Sequence, residues 1–277
     1  MFQQIKAAAI SFVPRKFELA ANANRLESMF REAAGNGAQL AVGPEGALEG
    51  YVVNEIIAGE VPAKRMRDVA VSLRNPLLSR FRNLARELNM CLAFGLAEAI
   101  GKDVYNCAIF IDQTGRLRGK YHKMQLAEGY HSSWWYNRLG KNSRAFLTPF
   151  GRAGFLICND RWNADIARIP VLDGARYLLI PSFGSRSKEQ DRAVLARARE
   201  NGVPIVEANV GVTLIISQGE IVARSRKMNT ITYGTIDIPA PPTAQNRDTH
   251  EKAFLGWRKK EMAKRYAERL QKIKAGR

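Results

Sequence analysis

Short apolar runs of strand length alternate with longer stretches of helical period along most of this chain. That alternation leaves few architectures open. "IKAAAISFV" (Ile5–Val13) reads as a buried strand, and Pro14 closes it. Leu19, Ala23, Leu26, Met29, Phe30 and Ala33 then recur at helical spacing, with Gly35 and Gly37 as terminators. "QLAVGPE" is a short strand ending in a turn. Asn75–Asn89 reads as a helix with Asn75 as N-cap and Pro76 in its first turn. "MCLAFGLAEAI" and "VYNCAIFID" are strands, as are "RAGFLIC" and "RYLLIPS", which flank a helix expected over Ala164–Leu172. "KEQDRAVLARAREN" is a further helix, "VPIVEAN" a strand, and "VTLIISQGEIVARS" a hairpin about Gly219. The class is α/β, with no internal repeat in the sequence. After Lys123 the pattern changes: Ala127–Phe146 is aromatic, polar and glycine-punctuated without a period, which in a compact domain marks a functional loop.

The 277 residues, 46% of them apolar, suffice for one large domain, assigned to residues 1–245. The proline-rich "IPAPPTAQNRD" leads to a basic extension, 246–277. Leu255, Met262, Tyr266, Leu270 and Ile273 share one face of a helix there, expected to dock on the body or, as the extension's main role, on a partner subunit. No apolar run is long enough to span a membrane, and the N-terminus reads as a strand rather than a signal peptide, so a cytoplasmic location is expected. The net charge is +17, and from Arg247 to Arg277 eleven Lys/Arg face four Asp/Glu. Nucleic acid is nevertheless not the expected partner, because no zinc-finger, RNA-recognition or helix-turn-helix signature accompanies the charge. Three cysteines and three histidines stand at no metal-ligand spacing, so neither a disulfide framework nor a metal site is expected.

Cys91 and Cys107 lie within apolar strands and read as core. Cys158 differs: "GFLICNDRW" carries an apolar strand directly into a thiol and then into "NDR". In α/β sheets the carboxyl ends of strands are where ligands bind. A thiol there needs a base or a cation to become a nucleophile. His122 and His131 have no obvious partner. "VGPEGALEGY" and "GKYHKMQL" each follow a strand, and so can bring a carboxylate and a lysine to the same sheet edge.

Four segments together resemble the nitrilase superfamily of carbon–nitrogen hydrolases. They are "NRLESMFREAAGNGAQLAVGPEGALEGY", "YNCAIFIDQTGRLRGKYHKMQL", "TPFGRAGFLICND" and "RARENGVPIVEANVG", in the family's order and spacing. The resemblance implies a four-layer α-β-β-α sandwich, paired subunits with a contributing C-terminal extension, and no metal or organic cofactor. It implies Glu45 as general base, Lys123 as oxyanion stabiliser, Cys158 as nucleophile and the Asn159 backbone N–H as a second oxyanion donor. Glu49 and Lys120 are the rivals; Glu49 reads as a solvent or loop carboxylate. Some members carry a further glutamate after the lysine, and Glu128 is the sole candidate for such a second carboxylate. "CNDR" is similar to N-carbamoyl-D-amino-acid amidohydrolases rather than to nitrilases, which commonly carry Cys-Trp-Glu; in the former an arginine after the nucleophile grips the substrate carboxylate, and Arg161 matches it. A structural salt bridge is the other reading of Arg161. The chain departs from those enzymes at Trp162, Asn163, Ala164 and Asp165. His131, Trp134 and Trp135 are candidate substrate contacts, Trp134 and Trp135 equally a lid or dimer contact. The expected function is hydrolysis of a small linear amide or N-carbamoyl compound through a Cys thioester, releasing ammonia or an amine. The alternatives are a nitrilase and, in another class, a basic nucleic-acid-binding protein on an inactive scaffold.

Overall fold

The computed structural model describes residues 3–241 and 245–275; residues 242–244 of the proline-rich linker lie outside the described residues. The strands are β1 (Gln3–Ser11), β2 (Leu40–Val42), β3 (Cys91–Ile100), β4 (Asp103–Ile111), β5 (Leu117–His122), β6 (Phe146–Thr148), β7 (Gly151–Phe155), β8 (Tyr177–Ser182), β9 (Ile205–Asn209), β10 (Val212–Ser217), β11 (Glu220–Ser225) and β12 (Thr230–Ile238). The helices are α1 (Leu19–Gly35), α2 (Val53–Ala58), α3 (Met66–Val69), α4 (Pro76–Leu88), α5 (Ala164–Leu172), α6 (Lys188–Asn201) and α7 (Asp248–Ala275).

Two six-stranded sheets form, in the orders β12-β1-β2-β3-β4-β5 and β11-β10-β9-β8-β7-β6. Alternate residues of a strand face opposite sides, and β1 uses both sides for burial. Ile5, Ala7 and Ala9 enter the core between the sheets, while Ala8 and Ile10 meet the outer helices. On that outer face α1 buries Ala23, Leu26, Met29, Phe30 and Ala33, and α4 buries Leu78, Phe81, Leu84 and Ala85. Phe30 meets Phe81 edge-on at 6.2 Å. Each such Leu or Phe contributes about 1.5–3 kcal/mol by leaving water. Asn75 caps α4 as its sequence suggests, its side chain accepting from the Leu77 N–H at 2.9 Å. Ile166 and Ile169 of α5 and Val194 and Ala198 of α6 close the second sheet. The result is the expected four-layer α-β-β-α sandwich.

From β12 to β5 and from β6 to β11 the pairings follow one pattern: antiparallel, parallel, parallel, antiparallel, antiparallel. The chain thus carries a structural duplication that its sequence does not display. Equivalent strands β2 and β8 end against one another, where the Glu45 N–H donates to the Ser182 carbonyl at 3.3 Å. That meeting point is where the polar residues collect.

α7 packs on α5 of its own chain. Phe254 and Met262 are buried, Phe254 being absent from the expected apolar face. Tyr266, Leu270 and Ile273 are only half-buried. His250 Nδ1 lies 2.8 Å from Asp165, and Arg247 pairs with Asp173 at 2.8 Å. The extension expected to serve subunit contacts is therefore seated along the body that precedes it.

Candidate active site

Glu45 follows β2 in a turn held against β3. The Gly43 N–H donates to Ala93 at 2.7 Å and the Gly95 N–H to Pro44 at 2.9 Å. A Cβ on Gly95 would stand 2.6 Å from the Glu45 Cα, so only glycine allows this approach. Glu45 and Lys123 are both wholly buried, and the Lys123 ammonium donates to Glu45 Oε1 at 2.6 Å. Asn106 Nδ2 donates to the same oxygen at 2.6 Å. Oε2 has no partner among the described residues, which leaves it able to take a proton. Lys123 follows β5, its own N–H held by the Asn106 carbonyl at 2.9 Å. Burial works against the ammonium, but Glu45, then Cys158 and Glu128, hold its pKa above the usual lysine value.

Cys158 opens a 3-10 turn, Cys158–Trp162, three residues beyond the end of β7. Its φ is +44°, in the left-handed region. A non-glycine residue held there costs about 1–3 kcal/mol and persists only where its surroundings dictate it. Asp160 supplies much of that constraint. Its carboxylate accepts from the Ile157 N–H at 2.9 Å, the Tyr121 hydroxyl at 2.8 Å and the Gln125 N–H at 3.0 Å. It thereby ties the Cys158 turn to the segment that carries Lys123. Burial pushes the Asp160 carboxyl up to about 6, with Lys123 and these donors opposing. The Cys158 thiol donates toward the Phe183 carbonyl at 3.5 Å. Burial, then the Glu45 charge, raise the thiol's pKa; Arg161 and Lys123 pull it down.

Glu128 lies in the same assembly. It is buried, its Oε1 accepts from the Tyr51 hydroxyl, and its Oε2 has no partner among the described residues. Tyr51 stacks on Phe183 at 5.0 Å and lies 5.6 Å under the Lys123 ammonium. Sequence reasoning missed Tyr51, Asn106 and Asp160 as site residues, although all three sit inside quoted motifs. The rivals go elsewhere. Lys120 pairs with Glu98 at 2.9 Å. Glu49 is no solvent carboxylate: it is buried, accepts from the Ala97 N–H at 3.0 Å, and burial with the Glu45 charge pushes it up to about 7.

Arg161 is buried with its guanidinium committed inside the protein. Its Nε donates to the Cys158 carbonyl at 2.6 Å and its Nη1 pairs with buried Glu207. The expected open fork for a substrate carboxylate is not what this geometry offers; Arg161 holds the Cys158 turn in place. His131 is exposed, its Nδ1 2.6 Å from Ser133 Oγ. Trp134 packs among Tyr130, Tyr136 and Tyr266, and Trp135 lies under Arg67 at 4.6 Å. His131 and Trp134 thus make their contacts within the loop and with Tyr266 of α7, and Trp135 with Tyr136 and with Arg67 of α3. The Asn159 side chain bridges Gln125 on the Lys123 segment at 3.3 Å and Arg265 of α7 at 3.2 Å. One set of possible metal ligands did escape the reading by sequence spacing. Glu98, Cys107 and His122, on three adjacent strands, bring ligand atoms within 4.8 Å of one another. Lys120 and His122 already engage both oxygens of Glu98, so a metal ion there would have to displace an existing cation.

The family profile described as carbon-nitrogen hydrolase matches residues 6–240. An N-carbamoylputrescine amidase of Oryza sativa subsp. japonica is 27% identical over 87% of this chain and 80% of its own length. A citrullinase of Francisella tularensis subsp. tularensis is 27% identical over 69% of the chain and 68% of its own. A solved amidase from Nesterenkonia sp. superposes with a TM-score of 0.70 at 22% identity, covering 85% of this chain and 90% of that one; at that identity the likeness speaks for the fold. The chain belongs to the carbon–nitrogen hydrolase family. It is an enzyme that hydrolyses non-peptide carbon–nitrogen bonds, in the group that includes amidases, carbamoyl hydrolases and nitrilases. Among the described residues no helix is long and apolar enough to cross a membrane.

Proposed function

We propose that the protein hydrolyses a linear amide or N-carbamoyl compound with Cys158 as nucleophile, Glu45 as general base and Lys123 as oxyanion stabiliser. The observation that carries this is the fully buried Lys123–Glu45 pair at 2.6 Å, with Glu45 Oε2 left without a partner and both charges acting on the Cys158 thiol. Because burial and Glu45 raise the thiol pKa, the resting state is a neutral thiol. Glu45 accepts its proton as sulfur attacks the carbonyl carbon. The charge that develops on the carbonyl oxygen faces the Lys123 ammonium and the Asn159 N–H. The leaving nitrogen departs as ammonia or an amine, carrying the proton held by Glu45. Water then gives a proton back to Glu45 and attacks the thioester; collapse releases the acid and returns the thiol. Glu128, held by Tyr51, adds its charge to that of Glu45 in keeping Lys123 protonated and offers its free oxygen to the substrate nitrogen.

The carbamoyl reading rests on the "CNDR" sequence and on the relatives named for N-carbamoylputrescine and citrulline. Ammonia release from a panel of amides, ureido compounds and nitriles, with Cys158→Ala as control, tests it. Turnover confined to nitriles would replace it with the nitrilase reading. Hydrolysis of none, with nucleic acid bound equally by wild type and by triad variants, would favour the binding-protein reading. We also infer a homo-oligomer, because Trp162 and Trp257 remain exposed. Light scattering that shows a monomer would refute it. A cytoplasmic location agrees with three free thiols.

A further inference from the structure

α7 begins beyond the matched 6–240 segment, yet it reaches the catalytic residues. Its Arg265 donates to Asn159 Oδ1, on the residue that follows Cys158. The loop bearing Glu128 is built directly on the helix. The Tyr130 N–H donates to the Met262 carbonyl at 3.1 Å, and a Cβ on Gly129 would stand 2.2 Å from the Tyr266 nitrogen. One turn further on, Arg269 donates to Asn54 Oδ1 at 2.8 Å, in the first turn of α2. The helix therefore crosses the rim of the site from the second sheet's side to the first.

Between α7 and Ala127, the neighbour of Glu128, lies a cleft of about 230 Å³ lined by Glu261, Arg265, Glu268, Arg269 and Lys272. Its charges do not balance. Glu261 is paired with Arg265 at 2.7 Å and Glu268 with Lys264 at 3.8 Å. Arg269 and Lys272 form no ion pair among the described residues, and the enclosed Arg269 Nε has no acceptor. An enclosed guanidinium N–H without an acceptor is destabilising, so a partner that supplies one is favoured. With Nη2 on Asn54 and Nε enclosed, the Arg269 guanidinium still lacks a counter-charge, and a charge-assisted contact with a carboxylate is the partner that suits it. Arg161, by contrast, is already engaged.

We propose that α7 completes the substrate site in cis and that its cleft takes the anionic far end of the substrate. The enzyme then prefers ureido or amido acids over neutral or cationic compounds of equal length. This rests on the hydrolase reading above. The test uses three probes of matched length on the full chain: N-carbamoyl-γ-aminobutyrate, n-butylurea and N-carbamoylputrescine. The expected order of kcat/KM is carboxylate above neutral by about tenfold or more, with the cationic probe lowest. Arg269→Gln should cut the carboxylate-to-neutral ratio about ten- to a hundredfold, mainly through KM. Arg269→Lys should restore only part of it, since an ammonium lacks the fork. A ratio unchanged in Arg269→Gln, an equal loss on all three probes, or preference for the cationic probe overturns the inference while leaving the hydrolase intact. Inertness of all three probes, alongside hydrolysis of simple amides, also overturns it; inertness of every amide and ureido compound overturns both readings.

Discussion

Replacing Arg161 with methionine separates a scaffold arginine from a substrate-binding one. The side chain is 1% exposed, and its partner Glu207 is wholly buried. Removing one member of a buried pair leaves an uncompensated charge and costs about 3–5 kcal/mol. Glu207 keeps the Ser182 hydroxyl at 3.0 Å and Gln190 Nε2 at 2.6 Å, which places the loss toward the lower end. At roughly 2–4 °C per kcal/mol for a chain near this size, the melting temperature should fall by about 10 °C. Burial already raises the Glu207 pKa against the pull of Arg161; without the arginine it rises further. A native-state pKa above the unfolded value means that the folded protein binds a proton the unfolded chain lacks, so the deficit should shrink as pH falls below that pKa. Arg161→Met/Glu207→Gln should recover part of the stability. The Cys158 carbonyl also loses its 2.6 Å donor, so kcat should fall alike on carboxylated and neutral substrates. The assay is scanning calorimetry across pH, with kcat/KM on one substrate of each kind. An unchanged melting temperature with a loss confined to the carboxylated substrate would refute the reasoning.

Other expectations follow from the same geometry. Lys123→Met should lower the acylation rate about a hundredfold or more in single-turnover kinetics; near-normal acylation would assign the oxyanion elsewhere. Glu45→Gln should abolish turnover yet make Cys158 easier to alkylate. It removes the negative charge that raises the thiol pKa and frees Lys123 to face the thiolate, so the midpoint of the iodoacetamide rate against pH should move down; a midpoint that stays or moves up contradicts that sign. Gly129→Ala sets a side chain against Tyr266 at a φ of +81° and should displace α7 from the Glu128 loop. Faster proteolysis of the tail together with lower kcat/KM would show this, and wild-type values for both would show that the contact does not matter.

The strand and helix periods were legible wherever one face is buried and the other is not. α6 lies over Lys188–Asn201 and α5 over Ala164–Leu172, as their sequences suggest. β12 escaped because its pairing with β1 closes a sheet between the chain's two ends, and no local pattern encodes a partner more than 200 residues away. The duplicated sheet pattern was invisible because it lives in pairing rather than in residue identity. Cys158, Lys123 and Glu45 were legible because each follows a strand within a motif. Asp160 and Tyr51 were not, because their roles are bonds to other loops. Arg161 shows the limit most clearly. Its place after the nucleophile suited a carboxylate, but Glu207, contributed by β9, reaches it first, and only the packing of the second sheet shows that. Phe254 anchors α7 from outside the expected apolar stripe for a similar reason, since α5 selects which helix face is buried.

The central claim is that Cys158 carries the acyl group. Wild-type protein turning over an excess of the best amide or ureido substrate of the panel, quenched in acid and digested, should show an acyl or carbamoyl adduct on the peptide containing Cys158 by mass spectrometry. Cys158→Ala should show neither adduct nor turnover while melting within about 1–2 kcal/mol of wild type. Steady-state hydrolysis in a pure Cys158→Ala sample, or an adduct on Cys91 or Cys107 instead, would contradict the account.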